Sequence, residues 1–176
     1  FPQAIGLAAI FDEDFHEMVA SVISTEARAK YNGQSAHGDR DIYKGLSMWS
    51  PNINIFRDPR WGRGHETYGE DPYLTSRLGV RFIKGLQGNG KYLKVAACAK
   101  HFAVHSGPEA IRHSFDAVAN PKDMNETYLP AFEAAVKEAK VESVMGAYNR
   151  VNGEPACGSK TLLVDILRNT WQFEGH

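Results

Sequence analysis

The residues best suited to chemistry sit where apolar runs end. Lys100 and His101 follow Val95-Ala96-Ala97-Cys98-Ala99, a run that would otherwise carry on into a core. An ammonium there is costly to bury without partners, and burial lowers its proton affinity. Two readings stand: a lysine leaving its strand for solvent beside a packed histidine, or a donor pair for hydroxyl groups. Strand neighbours face opposite sides, so the second reading requires a break in regular pleating. Arg63 and Glu66 lie in a loop with three glycines and Trp61. They make either an ion pair that pins the loop or a planar fork and a carboxylate matched to vicinal hydroxyls. Trp49 and Tyr148, near the ends of apolar runs, read as core or as a platform against a sugar face.

Other patterns carry less. His101 and His105 are four apart, as two metal ligands on one helix would be, and His113 follows. The residues before them read as a strand and Ser106-Gly107-Pro108 breaks any helix, so no metal site is assigned. Gly85-Leu86-Gln87-Gly88-Asn89-Gly90-Lys91 lacks the terminal Ser/Thr of a phosphate loop and follows a helix instead of a strand. Asn125-Glu126-Thr127 is an acceptor sequon that matters only in a eukaryotic secretory pathway. Cys98 reads as a small buried apolar side chain.

The elements that position these residues follow from periodicity and punctuation. A first helix is expected over about Asp12–Lys30, with Phe15, Met18, Val19, Val22 and Ile23 on one face. A second has Asp71 as cap, Pro72 at its first position, Leu74, Leu78 and Phe82 at four-residue spacing, and Gly88 at its end. A third starts at Asn120-Pro121 and runs to about Lys140; a fourth starts near Ser159 and carries Leu162, Leu163, Ile166 and Leu167. Between them Leu46–Phe56, Val95–Phe102 and Val141–Tyr148 are short and apolar, as strands covered on both faces are. Alternating strands and helices give a parallel α/β sheet, either doubly wound or an incomplete (β/α)8 TIM-type barrel. In both, ligands bind at the C-terminal ends of the strands, where Arg57–Glu66, Lys100-His101 and Tyr148-Asn149-Arg150 fall.

Composition bounds the classes. The chain has 176 residues, 20 Lys+Arg against 21 Asp+Glu, and 43% hydrophobic residues, which is one globular unit. The balanced charge argues against nucleic acid as a partner, no apolar run approaches a membrane span, and two cysteines make no disulfide framework.

Trp49-Ser50-Pro51-Asn52-Ile53-Asn54 followed by Arg57-Asp58-Pro59-Arg60-Trp61-Gly62-Arg63-Gly64-His65-Glu66-Thr67-Tyr68-Gly69-Glu70-Asp71-Pro72 resembles the N-terminal domain of glycoside hydrolase family 3. Ala99-Lys100-His101-Phe102, Arg112-His113-Ser114-Phe115-Asp116-Ala117 and Met145-Gly146-Ala147-Tyr148-Asn149 continue the resemblance in order, over essentially the whole chain. Within the family it looks most like bacterial β-xylosidases and β-glucosidases. The resemblance implies a (β/α)8-type barrel and a retaining, exo-acting β-glycosidase with no cofactor and no metal. It implies that Arg63, Lys100, His101 and Tyr148 line the terminal-sugar subsite, with Met145 and Glu66 in or just behind it. Xylosidase-like members carry over Trp49 and Arg112 as well. The family's nucleophilic Asp would lie just beyond His176, its acid/base in a later domain, and its opening strand before Phe1. Residues 1–176 are thus expected to be part of a single barrel domain truncated at both ends, with no catalytic carboxylate of their own. The His-Asp dyad of the N-acetylglucosaminidase branch is not carried over, because Ala103-Val104-His105 lacks that branch's Pro-Gly-His. The implied partners are xylo- or gluco-oligosaccharides and the C-terminal domains of the same parent chain, with neither nucleic acid nor membrane. Location stays open, although plant-wall substrates suggest export. A non-catalytic sugar-binding module and a three-histidine metal hydrolase are the rival readings.

Overall fold

The structure, a computed structural model, describes all of residues 1–176. A short helix α1 (Ala4–Ala8) precedes the long α2 (Glu13–Ala36), whose start is set by Asp12 accepting from the Phe15 N–H at 2.9 Å. Strand β1 (Ser47–Met48) leads through the Arg63–Glu66 loop to α3 (Pro72–Gln87), then β2 (Ala96–Phe102). After β3 (Asp116–Ala117) come α4 (Pro121–Asp123), α5 (Pro130–Lys137) and β4 (Ser143–Gly146). A hairpin of β5 (Arg150–Val151) and β6 (Glu154–Pro155) and a wide-wound helix over Thr161–Thr170 finish the chain.

Strands β1, β2 and β4 form a parallel sheet in that order, so successive strands are neighbours. Helix α3 packs on α2 on one side and α5 on the other, which puts all three in one layer. Strands wound in one direction with helices in one layer are an arc of a (β/α)8 barrel; a doubly wound sheet would cover both faces. The core lies between sheet and helices, around Leu78, Ile83, Leu86, Val95, Phe102 and Phe132.

Several boundaries differ from the sequence reading. Helix α2 runs six residues past Lys30, because its apolar side ends near Ala27 while the backbone ladder continues through polar residues. Its buried side is His16, Val19, Ala20 and Ser24; Met18 and Val22 are exposed. The rotation follows from close packing on α3: a Cβ on Gly85 would collide with the Glu17 carbonyl and the Ala20 side chain. The third helix begins at the expected cap, Asn120 accepting from Asp123 N–H at 2.8 Å, but it is discontinuous. Its middle, Met124–Tyr128, is wound wider, with Leu129 N–H donating to Met124 O. Pro130 is the reason, since its ring clashes with the carbonyl four residues back and offers no donor.

Only Ser47–Met48 of the expected Leu46–Phe56 strand pairs regularly. Pro51 has no N–H, and Asn52 Oδ1 turns the chain by accepting from Asn54 N–H at 3.1 Å. Pairing with β2 persists nonetheless, through Cys98 N–H to Ser50 O, Lys100 N–H to Pro51 O and Ile53 N–H to Lys100 O. The two-residue strands β3, β5 and β6 form a second sheet that no periodicity announced.

Candidate functional site

Strand β2 carries the first pair of groups, and its pleat is what delivers them. Ala97 and Ala99 join the core under the helices, so strict alternation would send His101 there too. The ladder with β4 instead slips one residue between Lys100 and Phe102. Phe102 takes the core position, against Phe132 and Trp171 at 5.1 and 5.8 Å between ring centroids, and frees His101 for the other side. Lys100 and His101 therefore both leave the helix-facing core, the break in pleating that a shared pocket requires.

The loop after β1 brings the second pair. Gly64 is needed there, since any Cβ would fall inside the Phe56 ring. Arg63 Nε and Nη2 donate to Glu66 Oε1 and Oε2, both at 2.6 Å, a bidentate pair. Arg63 Nη1 donates to His101 Nε2 at 3.0 Å, and Lys100 Nζ stands 4.0 Å from Glu66 Oε2. Arg63, Glu66, Lys100 and His101 are thus one cluster. The pair that pins the loop also faces the lysine. The lysine does not escape to solvent.

Electrostatics follow from burial and neighbours. The Arg63 fork holds Glu66 below the usual carboxylate range. Desolvation and then Arg63 lower Lys100 from its ordinary value. His101 is pushed down to about 2, first by burial and then by His105, Arg63, Lys100 and Arg112. Glu66 is ionised and both its oxygens are engaged by Arg63, which suits it to orient groups and not to donate a proton.

A cleft of about 250 Å³ opens beside the cluster, lined by Trp49, Ser50, Asn52, His65, Glu66 and Lys100. A larger groove of about 320 Å³ lies beside α2, but no such cluster adjoins it; chemistry and not volume selects the smaller one. Trp49 is 62% exposed and meets Tyr43 edge-on, with ring centroids 6.5 Å apart. Tyr148 is 58% exposed and belongs to the other side of the cluster. Its ring lies 4.6 Å from His113 and 6.1 Å from His105, and the Arg112 guanidinium sits 5.7 Å from its centroid. Arg112 pairs with Glu109 at 2.8 Å, and Glu109 accepts from the Gly62 N–H next to Arg63. Met145, half-buried on β4, is in register with Lys100. The three histidines do not converge as ligands: His101 Nε2 is engaged by Arg63, and His113 Nε2 accepts from its neighbour Arg112.

Two buried amides tie the site together. Asn54, 3% exposed, bonds His101 three times, and Asn149, 1% exposed, holds His105 Nδ1 at 3.1 Å. The signal was present: Asn52 and Asn54 interrupt an apolar run, and a buried amide in such a run must be satisfied by something.

A sequence profile described as the glycosyl hydrolase family 3 N terminal domain matches residues 1–176. A xylan 1,4-beta-xylosidase of Xylanibacter ruminicola is 52% identical over 99% of this chain and 21% of its own length. Among solved structures, a GH3 exo-beta-xylosidase (XlnD) in complex with a xylobiose aziridine activity-based probe superposes with a TM-score of 0.89 at 37% identity. That match covers 99% of this chain and 22% of the other. Beta-glucosidase 3B from Thermotoga neapolitana, in complex with glucose, gives 0.85 at 35% identity, over 99% of this chain and 22% of its own. The chain spans about a fifth of the length of these relatives.

Proposed function

We propose a function from one premise: this chain belongs to the glycosyl hydrolase family 3 N-terminal domain family. It is a glycoside hydrolase segment folded as a partial (β/α)8 barrel, with xylosidases and glucosidases as relatives. The reading is that residues 1–176 form the terminal-sugar subsite of a retaining, exo-acting β-glycosidase that acts on xylo- or gluco-oligosaccharides. The observation that carries it is the cluster at the strand ends: a bidentate Arg63–Glu66 pair abutting Lys100 and His101. Trp49 and Tyr148 flank it as exposed rings. Charged donors beside an ionised acceptor suit vicinal hydroxyls, and exposed aromatics suit the apolar face of a sugar ring.

Retaining hydrolysis uses a nucleophilic carboxylate and a carboxyl acid/base about 5–5.5 Å apart, by way of a covalent glycosyl-enzyme. In this proposal both come from outside residues 1–176, the nucleophile just past His176 and the acid/base from a later domain of the parent chain. The segment is then part of a single barrel domain truncated at both ends. Its contribution is orientation: contacts to non-reacting hydroxyls that tighten in the transition state lower the barrier.

The test is hydrolysis of aryl β-xyloside and aryl β-glucoside by residues 1–176 and by a chain extended in both directions. The expected result is no turnover by the first and turnover by the second, with the faster substrate naming the sugar. In the extended chain Lys100→Ala should lower kcat/KM about tenfold or more, the worth of a charge-assisted hydrogen bond. Unchanged kinetics would remove Lys100 from the subsite. Turnover by residues 1–176 that Lys100→Ala abolishes would place the reacting carboxylates inside the segment. Saturable sugar binding with no turnover by either chain would favour a binding module.

A further inference from the structure

Asn54 addresses His101 with every atom its amide offers. Its Oδ1 accepts from the His101 backbone N–H at 2.9 Å and lies 3.0 Å from ring Nδ1, while its Nδ2 donates to the His101 carbonyl at 2.8 Å. The two backbone bonds fix which end of the amide is oxygen, because a flipped amide would set N–H against N–H. An amide oxygen only accepts, so ring Nδ1 carries the hydrogen. The far side of the ring gives the same answer independently. Arg63 Nη1, a group that only donates, stands 3.0 Å from Nε2, so Nε2 holds the lone pair. Both partners therefore demand one neutral form of the imidazole, with the proton on Nδ1 and the lone pair on Nε2.

We propose that Asn54 is a positioning residue: it locks His101 as the neutral Nδ1–H form, so that Nε2 acts as an acceptor that aims the Arg63 guanidinium. The role passes along a line of contacts. Asn52 Oδ1 accepts from Asn54 N–H at 3.1 Å, Asn54 holds His101, His101 holds Arg63, and Arg63 holds both oxygens of Glu66. Of the five N–H donors of Arg63, this line uses three, one on each nitrogen, and leaves one on Nη1 and one on Nη2 for a ligand. His101 is then an orienting group whose ring cannot donate from Nε2. Its relevance to sugar binding rests on the function proposed above, but the ring's proton position does not, so the two can fail separately.

The charged and titratable groups around the ring all favour the neutral form. Arg63, Lys100 and Arg112 are cations, and His105 lies with its ring 4.6 Å away. The nearby carboxylates are both neutralised by arginines, Glu66 by Arg63 and Glu109 by Arg112.

The experiment is long-range nitrogen–proton NMR of the labelled histidine rings in the chain extended at both ends, from pH 7 to pH 4. The expected His101 pattern has a protonated Nδ1 and an unprotonated Nε2, unchanged over that range. A proton on Nε2, a mixture of both forms, or titration near pH 6.5 overturns the proposal without any variant being made. Asn54→Asp supplies the second readout. A carboxylate keeps the acceptor for Nδ1–H and strengthens that bond, so the His101 Nδ1 proton should move downfield while Nε2 stays unprotonated. An unmoved Nδ1 proton in Asn54→Asp would show that residue 54 does not hold the ring. If the ring behaves as expected while the extended chain cleaves no sugar, the positioning stands and the glycosidase reading falls.

Discussion

His16 is the residue whose surroundings make the sharpest demand on the chain. It is 1% exposed within α2, neither ring nitrogen has a hydrogen-bond partner, and its ring meets Tyr68 edge-on at 5.3 Å. Burying unpaired polar atoms costs free energy that a ring of similar shape without them would not. His16→Phe should therefore stabilise the chain by about 1–2 kcal/mol at pH 7, as measured by urea unfolding. The same residue bears on acid stability, together with His101 and His105. All three are held below their ordinary value, with burial the largest cause in each case. A histidine that stays neutral when folded binds fewer protons than its unfolded counterpart once the pH falls below about 6.5. Its stabilisation is complete above that pH and is lost as the pH falls toward the folded value. For His101 that value is about 2, so its share of the slope, about 1.4 kcal/mol per pH unit, persists through the whole acid range. Unfolding free energy should thus decline from pH 6.5 to about pH 5.5, above the range in which the carboxylates of the unfolded chain take up protons, and His16→Phe should make the decline shallower. A flat profile over that window would mean that the histidines are not buried neutral.

At the scale of elements, local chemistry was legible and the way elements meet was not. Asp71 as cap with Pro72 after it, and Asn120 as the next cap, were readable because a cap involves only four consecutive residues. Lys100 and His101 stood out as charge and ring at the end of an apolar run. The one-residue slip that turns His101 to the side of Lys100 is set by the neighbouring strand and by the volume of Phe102, which no local pattern encodes. The buried side of α2 was misjudged for the same reason. Apolarity pointed to Met18 and Val22, whereas contact with α3 is decided by small residues that let two helices approach. Ser24 belongs to that contact, its hydroxyl donating to Gly85 O at 3.0 Å. Gly85→Val should push the two helices apart, against the Glu17 carbonyl and Ala20, at a cost of about 1–3 kcal/mol. Gly90→Val, in an exposed turn with ordinary contact distances, is the control and should be close to neutral. Equal losses for the two would show that backbone freedom and not helix approach is what Gly85 supplies.

Over the whole molecule, the sheet is the feature that decides how the chain behaves alone. Its order β1-β2-β4 leaves β1 at one edge. At the other edge, the last residues already pair with β4: His176 N–H donates to Glu142 O at 3.0 Å, and Val144 N–H donates to His176 O at 2.9 Å. A residue further on would continue that ladder, and a nucleophile just past His176 would come to the same end of the sheet as Lys100. Closure of a barrel is what removes strand edges, and open edges pair with other chains. Phe1, Ile42 and Tyr43 are also exposed beside the groove near β1, adding apolar surface at the first edge. Residues 1–176 should consequently self-associate at micromolar concentration, seen as light scattering that rises with concentration and temperature. Extension past His176 by one strand and its helix should raise the melting temperature and reduce the scattering, because it covers one edge and leaves the other. Extension at both ends should abolish it. A monomer that melts cooperatively at the same temperature with and without the extensions would sink the reading of an open arc, and would make the segment a self-sufficient module whose sugar contacts serve binding alone.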